Sequence, residues 1–258
     1  MQIHILASGS TGNAVFLELG GTRLLIDAGI SCRRIERGLA EVGNSVEELD
    51  AILITHEHTD HIKGLDVLVR KHCIPVYARS RTWGKIRFRD RLPLDCCQEL
   101  GNELELGNIY IEAFAISHDA VEPVGFCLYY QQMKWVVATD LGFVSRGVGE
   151  ALQNADLVVL ESNHDLEMLR NGPYPEFLKQ RIRSKKGHLS NYDAAQALAQ
   201  TRCRTGAHVF LAHLSQKNNR VDVAASTVND ILCQHGCDVG HDIKLHPTYP
   251  NRIVSLVK

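Results

Sequence analysis

No apolar run in this chain approaches the eighteen or so residues that a membrane span needs, and no charged segment leads into a short apolar stretch at its start. Neither a spanning helix nor an export signal is expected, so the reading is of a cytoplasmic protein. CxxC pairs are also missing. The cysteines at 32, 73, 96, 97, 127, 203, 233 and 237 are scattered and read as free thiols in a reducing compartment. There is no large excess of one charge: a formal net charge of −2 argues against a protein that coats nucleic acid non-specifically. Internal repeats, low-complexity tracts and Pro- or Ser-rich linkers are absent, so one domain over residues 1–258 is expected.

What is present is an ordinary globular composition, 45% hydrophobic and 22% charged, enough for a sizeable core. Charge is concentrated locally. Residues 79–91 hold Arg79, Arg81, Lys85, Arg87, Arg89 and Arg91 against a single Asp90, and a second run carries Lys179, Arg181, Arg183, Lys185 and Lys186 just before His188. Each run reads equally well as a solvated face or as a set of phosphate contacts.

The first half reads as short strands cornered by glycine: 2–7, the polar turn SGSTGN at 8–13, then 14–19 and 22–27. Ile35, Leu39 and Val42 have helical spacing, whereas 51–55 is a short apolar run suited to a buried strand. One helical pattern runs over 60–72. Further strands are expected at 74–78, 109–117, 124–130, 134–139, 157–160, 207–212 and 252–257, with helices at 175–184, 191–202 and 222–235. Strand-rich at first and mixed later, the order suggests a layered αβ architecture.

The densest chemistry is HEHTDH. His56 and His58 stand two apart at the end of a strand, and period-two alternation sends both imidazoles to one face. Asp60 and His61 open the following helix and reach toward the same place from another direction. Imidazole and carboxylate suit zinc, manganese and iron. The plainer alternative is a surface loop in which Thr59 or Asp60 caps the helix. Capping does not account for three histidines in six residues after a buried strand.

THEHTDH resembles the HxHxDH signature of the metallo-β-lactamase superfamily. The resemblance implies an α+β fold, a four-layer αββα sandwich, with two divalent ions (Zn or Mn) at one edge. It also implies the remaining ligands: His118 in AISHDA, Asp140 in VVATDLG and His213 in HVFLAHLS, each after an apolar strand. Read alone, each of the three is equally a structural strand-end residue or a turn Asp. His4, His72, His208, His235, His241 and His246 lack such context and are taken as structural or surface residues.

Lactam-cleaving members are exported and often carry Cys at the place of Asp140, which points away from antibiotics. GHLSNYDAAQAL, 187–198, is similar to the histidine motif of ribonuclease Z and related phosphodiesterases, which makes His188 the candidate general acid; its bland alternative is a histidine flanking a helix capped by Ser190 or Asn191. ESNHD at 161–165, with SGSTGN, GPYP and HLSQKNN, resembles the YycJ/WalJ branch, whose bacterial members are similar to 5′→3′ DNA exonucleases. The resemblance implies that a water shared by the two ions attacks the phosphorus, that Asp60 orients it, and that His188 protonates the leaving oxygen. Ser10, Asn13, His164, Arg87 and Lys185 are the candidate substrate contacts. DNA is expected ahead of RNA as the partner, no membrane is expected, and the oligomeric state is left open. Rival readings are a cyclic phosphodiesterase, a thiolester or lactone hydrolase, and a non-hydrolytic di-iron protein; against the last, His58 stands where such proteins usually carry Glu.

Overall fold

The computed structural model describes residues 1–257, and the chain divides into two compact units. The first comprises Met1–Ala113, Ala120–Pro123 and the chain from Tyr249 onward; the second comprises Phe114–Asp119 and Val124–Thr248.

In the first unit a mixed sheet runs, in spatial order, Val254–Val257, Gln2–Ala7, Ala14–Leu19, Thr22–Ile26, Ala51–Leu53, Val76–Ala78 and Cys97–Glu99. Pairing is antiparallel up to Thr22–Ile26 and parallel beyond it. The amphipathic helices Cys32–Glu41 and Leu65–His72 turn Ile35, Leu39, Leu65, Leu68 and Val69 into one core with Phe16, Leu25 and Ile52. Each such side chain taken fully from water contributes roughly 1.5–3 kcal/mol.

The helix expected over 60–72 is in fact two, Thr59–Ile62 and Leu65–His72. The break lies where Gly64 donates its N–H to Ala28 O at 2.7 Å, and a Cβ on Gly64 would stand 2.0 Å from Ile30 O. Gly29 fills the matching place on the other strand of this crossing. Its N–H donates to Asn13 O, and a Cβ there would lie 1.6 Å from the Asp60 carbonyl oxygen. Two glycines thus let segment 28–30 press directly against the HEHTDH loop. Gly29→Ala is expected to cost more than about 3 kcal/mol in a urea melt, because the clash is with backbone and cannot be relieved by a rotamer change.

In the second unit five strands run in the order Ile243–Pro247, Ala207–Ala212, Leu157–Glu161, Met133–Ala138 and Val124–Tyr130. All are parallel except the last, which is antiparallel to its neighbour. The central runs LVVLE and AHVFLA are buried throughout, as parallel strands covered on both faces must be. Helices Asn191–Gln200 and Val221–Gln234 supply Ala194, Ala195, Leu198, Val228 and Leu232 to the same core. Ser190 caps the first of them, its hydroxyl accepting the Asp193 N–H at 3.0 Å.

Sequence reading missed the helices Arg146–Leu152 and Leu166–Asn171, the strand Ile243–Pro247 and the strand Glu103–Leu106, which pairs with the expected strand Ile109–Ala115. All of these missed segments are seven residues or shorter, too short for periodicity to register; Glu103–Leu106 also alternates Glu with Leu and looks like a solvated loop. Among the described residues no helix is long and apolar enough to cross a membrane.

Candidate metal centre

In the first unit, strand Ala51–Leu53 delivers Thr55 and His56, and the short helix Thr59–Ile62 carries Asp60 and His61. The rings of His56 and His58 are 4.6 Å apart between centroids, and those of His56 and His61 are 4.1 Å apart. His56 and His61 are fully buried. Asp27, at the end of Thr22–Ile26, organises them. Its carboxylate accepts from His61 Nδ1 at 2.7 Å and from the Thr55 hydroxyl at 2.8 Å, and Thr55 Oγ1 lies 3.0 Å from His56 Nδ1. Anchoring Nδ1 on a carboxylate or hydroxyl selects the tautomer that presents Nε2 to a metal.

Asn13, nominated for substrate, is buried here. Its Oδ1 accepts the Gly9 N–H at 2.9 Å, and its amide nitrogen lies 3.1 Å from His61 Nε2 and 3.5 Å from Asp60 Oδ2. That is the position of a group that orients Asp60 and His61. Ser10 is exposed in the adjoining turn.

In the second unit three adjacent parallel strands each end on an ionisable residue: Met133–Ala138 leads to Asp140, Leu157–Glu161 ends on Glu161, and Ala207–Ala212 leads to His213. Carboxyl ends of parallel strands are where such sheets gather functional groups. His118 follows strand Ile109–Ala115, and His188 precedes helix Asn191–Gln200. Asp140 Oδ1 lies 3.4 Å from His213 Nδ1, 3.6 Å from His188 Nδ1 and 3.7 Å from His118 Nε2. Ligand atoms of Asp140, Glu161, His188 and His213 all fall within 4.8 Å of one another.

Glu161 is the residue that sequence reading passed over, although it opens the ESNHD segment. Fully buried, it accepts from His188 Nδ1 and His213 Nδ1, both at 2.8 Å, and from the backbone N–H groups of Leu141 and Leu189. Burial alone would raise its pKa. The two imidazoles outweigh that and hold the carboxyl at about 2. For His188 burial likewise pulls the pKa down, and Glu161 reverses the direction, so the ring is raised above the ordinary histidine value. His118, with Nδ1 directed at Gly187 O at 3.2 Å, is lowered by its burial and stays in the neutral form that binds metals.

Three of the organising residues, Asp27, Asp140 and His213, sit at φ of 61°, 61° and 56°. Left-handed backbone is uncommon for residues other than glycine and is concentrated at functional sites. Each kink lies just beyond a strand end and turns the side chain out of the strand's alternation.

His164 is only 2% exposed, and burial pushes its pKa down to about 4, so it offers substrate no surface of its own. Lys185 is exposed in a loop whose backbone is pinned beside His118: its carbonyl accepts the Ser117 hydroxyl and abuts Gly142. Arg87 is exposed in the first unit. The basic runs are partly committed internally, with Arg91 paired to Asp66, Arg181 to Asp119 and Arg183 to Glu176.

These donors, histidine nitrogens and carboxylate oxygens with most rings anchored through Nδ1, have the chemistry of divalent-metal sites. Residues 22–214 match the Beta-lactamase superfamily domain. Over its whole length the chain is 42% identical to "Exodeoxyribonuclease WalJ" of Streptococcus pneumoniae, covering 97% of that protein. It is 39% identical to "Exodeoxyribonuclease YycJ" of Bacillus anthracis over 97% of this chain and 96% of that one. Among solved structures, the metallo-beta-lactamase fold protein YhfI from Bacillus subtilis overlaps 98% of each chain with a TM-score of 0.73 at 15% identity. The chain belongs to the metallo-β-lactamase superfamily, in the branch that contains WalJ and YycJ. The α+β, αββα fold expected from THEHTDH is borne out by this membership.

Proposed function

We propose that this chain is a metal-dependent exodeoxyribonuclease that degrades DNA from the 5′ end. The proposal takes residues 1–258 as one hydrolase domain. It joins His56, His58, Asp60 and His61 with His118, Asp140 and His213 as ligands of two divalent ions, Zn or Mn. The observation that carries the reading is the Glu161–His188 pair beside Asp140: a partly exposed imidazole, held by a buried carboxylate and raised in pKa, is a group fitted to give a proton to a phosphodiester's leaving oxygen. The names of the two near-full-length relatives support DNA as the polymer.

Two bound ions would supply Lewis-acid stabilisation of the phosphoryl oxygens and an activated water. The chain's own residues do the rest. Asp60, held through its backbone oxygen by the Asn13 N–H, orients the water. Glu161 raises the pKa of His188 and so favours its protonated form, and His188 gives that proton to the departing oxygen. The exposed cations, Lys185 and Arg87 among them, hold backbone phosphates without reading sequence.

The decisive assay sets 5′-labelled DNA, RNA, a cyclic nucleotide, a bis-aryl phosphodiester and a thiolester side by side, on metal-depleted protein given back Mn²⁺ or Zn²⁺. DNA is expected to be shortened from its 5′ end, with activity lost on chelation and falling steeply with salt. Cleavage of bis-aryl phosphodiesters with DNA left intact at low salt would refute the polymer assignment, and preference for the thiolester would refute the phosphodiesterase assignment as well.

A further inference from the structure

A third group of ligand-type side chains lies within the first unit and takes no part in the chemistry above. Helix Cys32–Glu41 places Cys32 and Glu36 one turn apart, and helix Leu65–His72 ends on His72. Cys32 Sγ lies 3.4 Å from Glu36 Oε1, and His72 Nε2 lies 2.9 Å from that same oxygen. One sulfur, one nitrogen and one oxygen all fall within 4.8 Å of each other. Ligands held at about 2.0–2.3 Å from a tetrahedral zinc stand roughly 3.3–3.7 Å apart, so shifts of no more than about an ångström close the three on an ion.

The histidine is already oriented for this. Its Nδ1 lies 3.1 Å from the Glu47 carboxylate, the arrangement by which proteins fix the tautomer of a metal-binding imidazole and direct Nε2 inward. The His72 side chain is 8% exposed and Cys32 is 7% exposed, so packing holds both in place. A cleft of about 230 Å³, lined by Glu36, Glu47, Lys71 and His72, gives an ion its way in.

We infer that Cys32, Glu36 and His72 form a separate site for one zinc-class divalent cation, with water in the fourth position. Lys71 at present supplies the counter-charge, its ammonium 2.7 Å from Glu36. That lysine is 58% exposed, and an ion pair so exposed to solvent is weak, so displacing it costs little. Burial raises the Cys32 pKa to about 11, so Cys32 is a thiol without metal. Binding replaces its S–H bond with a sulfur–metal bond and releases the proton to solvent, and affinity therefore rises with pH. The alternative is a self-contained ion-pair cluster in which Lys71 and His72 balance Glu36 and Glu47 and no cation binds.

None of the ligands proposed for the catalytic centre is a cysteine, so a sulfur-to-cobalt charge-transfer band in the near ultraviolet reports on thiolate ligation alone. On titrating metal-depleted full-length protein with Co²⁺, this band is expected in the native chain and in Cys73→Ser. It should be missing from Cys32→Ser and His72→Gln, with DNA hydrolysis by both variants staying within about twofold of native, since neither residue touches the reacting atoms. Absence of the band from the native protein, or its persistence in Cys32→Ser, overturns the site. Should the buried Cys32→Ser fail to fold, the half-exposed Glu36→Gln decides. A Co²⁺ affinity weakened about tenfold or more is expected, and an unchanged affinity rejects the site.

Discussion

Asp140→Asn is expected to lower DNA hydrolysis by roughly 10³-fold or more and to remove about one equivalent of bound metal while the fold survives. Asp140 is 2% exposed, and its Oδ1 stands within 3.7 Å of nitrogens of His118, His188 and His213. Two divalent ions brought into such a buried place need carboxylate charge to offset them, and an amide of the same shape cannot supply it. Asparagine suits this backbone position better than alanine. At φ 61° asparagine is among the few side chains that tolerate the left-handed region, so lost activity cannot be put down to backbone strain. Metal analysis, circular dichroism and an end-labelled DNA assay on one preparation check it. Native metal content with a rate within a few-fold of native would remove Asp140 from the centre.

His188→Ala is expected to reduce kcat on DNA by about 10²–10³-fold with metal content unchanged. The prediction rests on exposure and charge together. In its cluster the His188 side chain is 22% exposed, whereas those of His118 and His213 are each 2% exposed. His188 therefore has an edge that substrate can reach. Glu161 holds Nδ1 and raises the ring's pKa against the pull of burial. A general acid matters most when the leaving group is a poor one. The same variant should lose much less on a bis-aryl phosphodiester, whose phenolate departs without a proton. Equal losses on both substrates would argue against proton donation, and loss of bound metal would make His188 a ligand instead.

How much of this was legible in sequence varies with the distance over which each contact acts. HEHTDH was readable because its histidines lie within six residues and follow a recognisable buried strand. His118, Asp140 and His213 were readable through the apolar strands before them and through the resemblance. Glu161 was not, because a glutamate closing an apolar strand looks like any polar residue entering a loop. Its partners are Leu141, His188, Leu189 and His213, 20 to 52 residues away along the chain. Asp27 was passed over for the same reason, since its contact with His61 spans 34 residues. The break at Gly64 was hidden by unbroken helical spacing on both sides, and only the approach of Ala28 and Ile30 explains it. Of the nominated substrate contacts, Asn13 and His164 proved buried, because composition does not say which way a polar side chain faces.

Sequence by itself determined which chemical groups stand at which strand ends, and hence the superfamily, because apolar runs and alternation are properties of neighbouring residues. Tertiary structure alone decided which ring nitrogen each histidine turns outward, which carboxylate steadies it, and that Cys32, Glu36 and His72 come together at all. Those outcomes depend on hydrogen bonds closed between segments remote along the chain, and such bonds leave no local pattern to read.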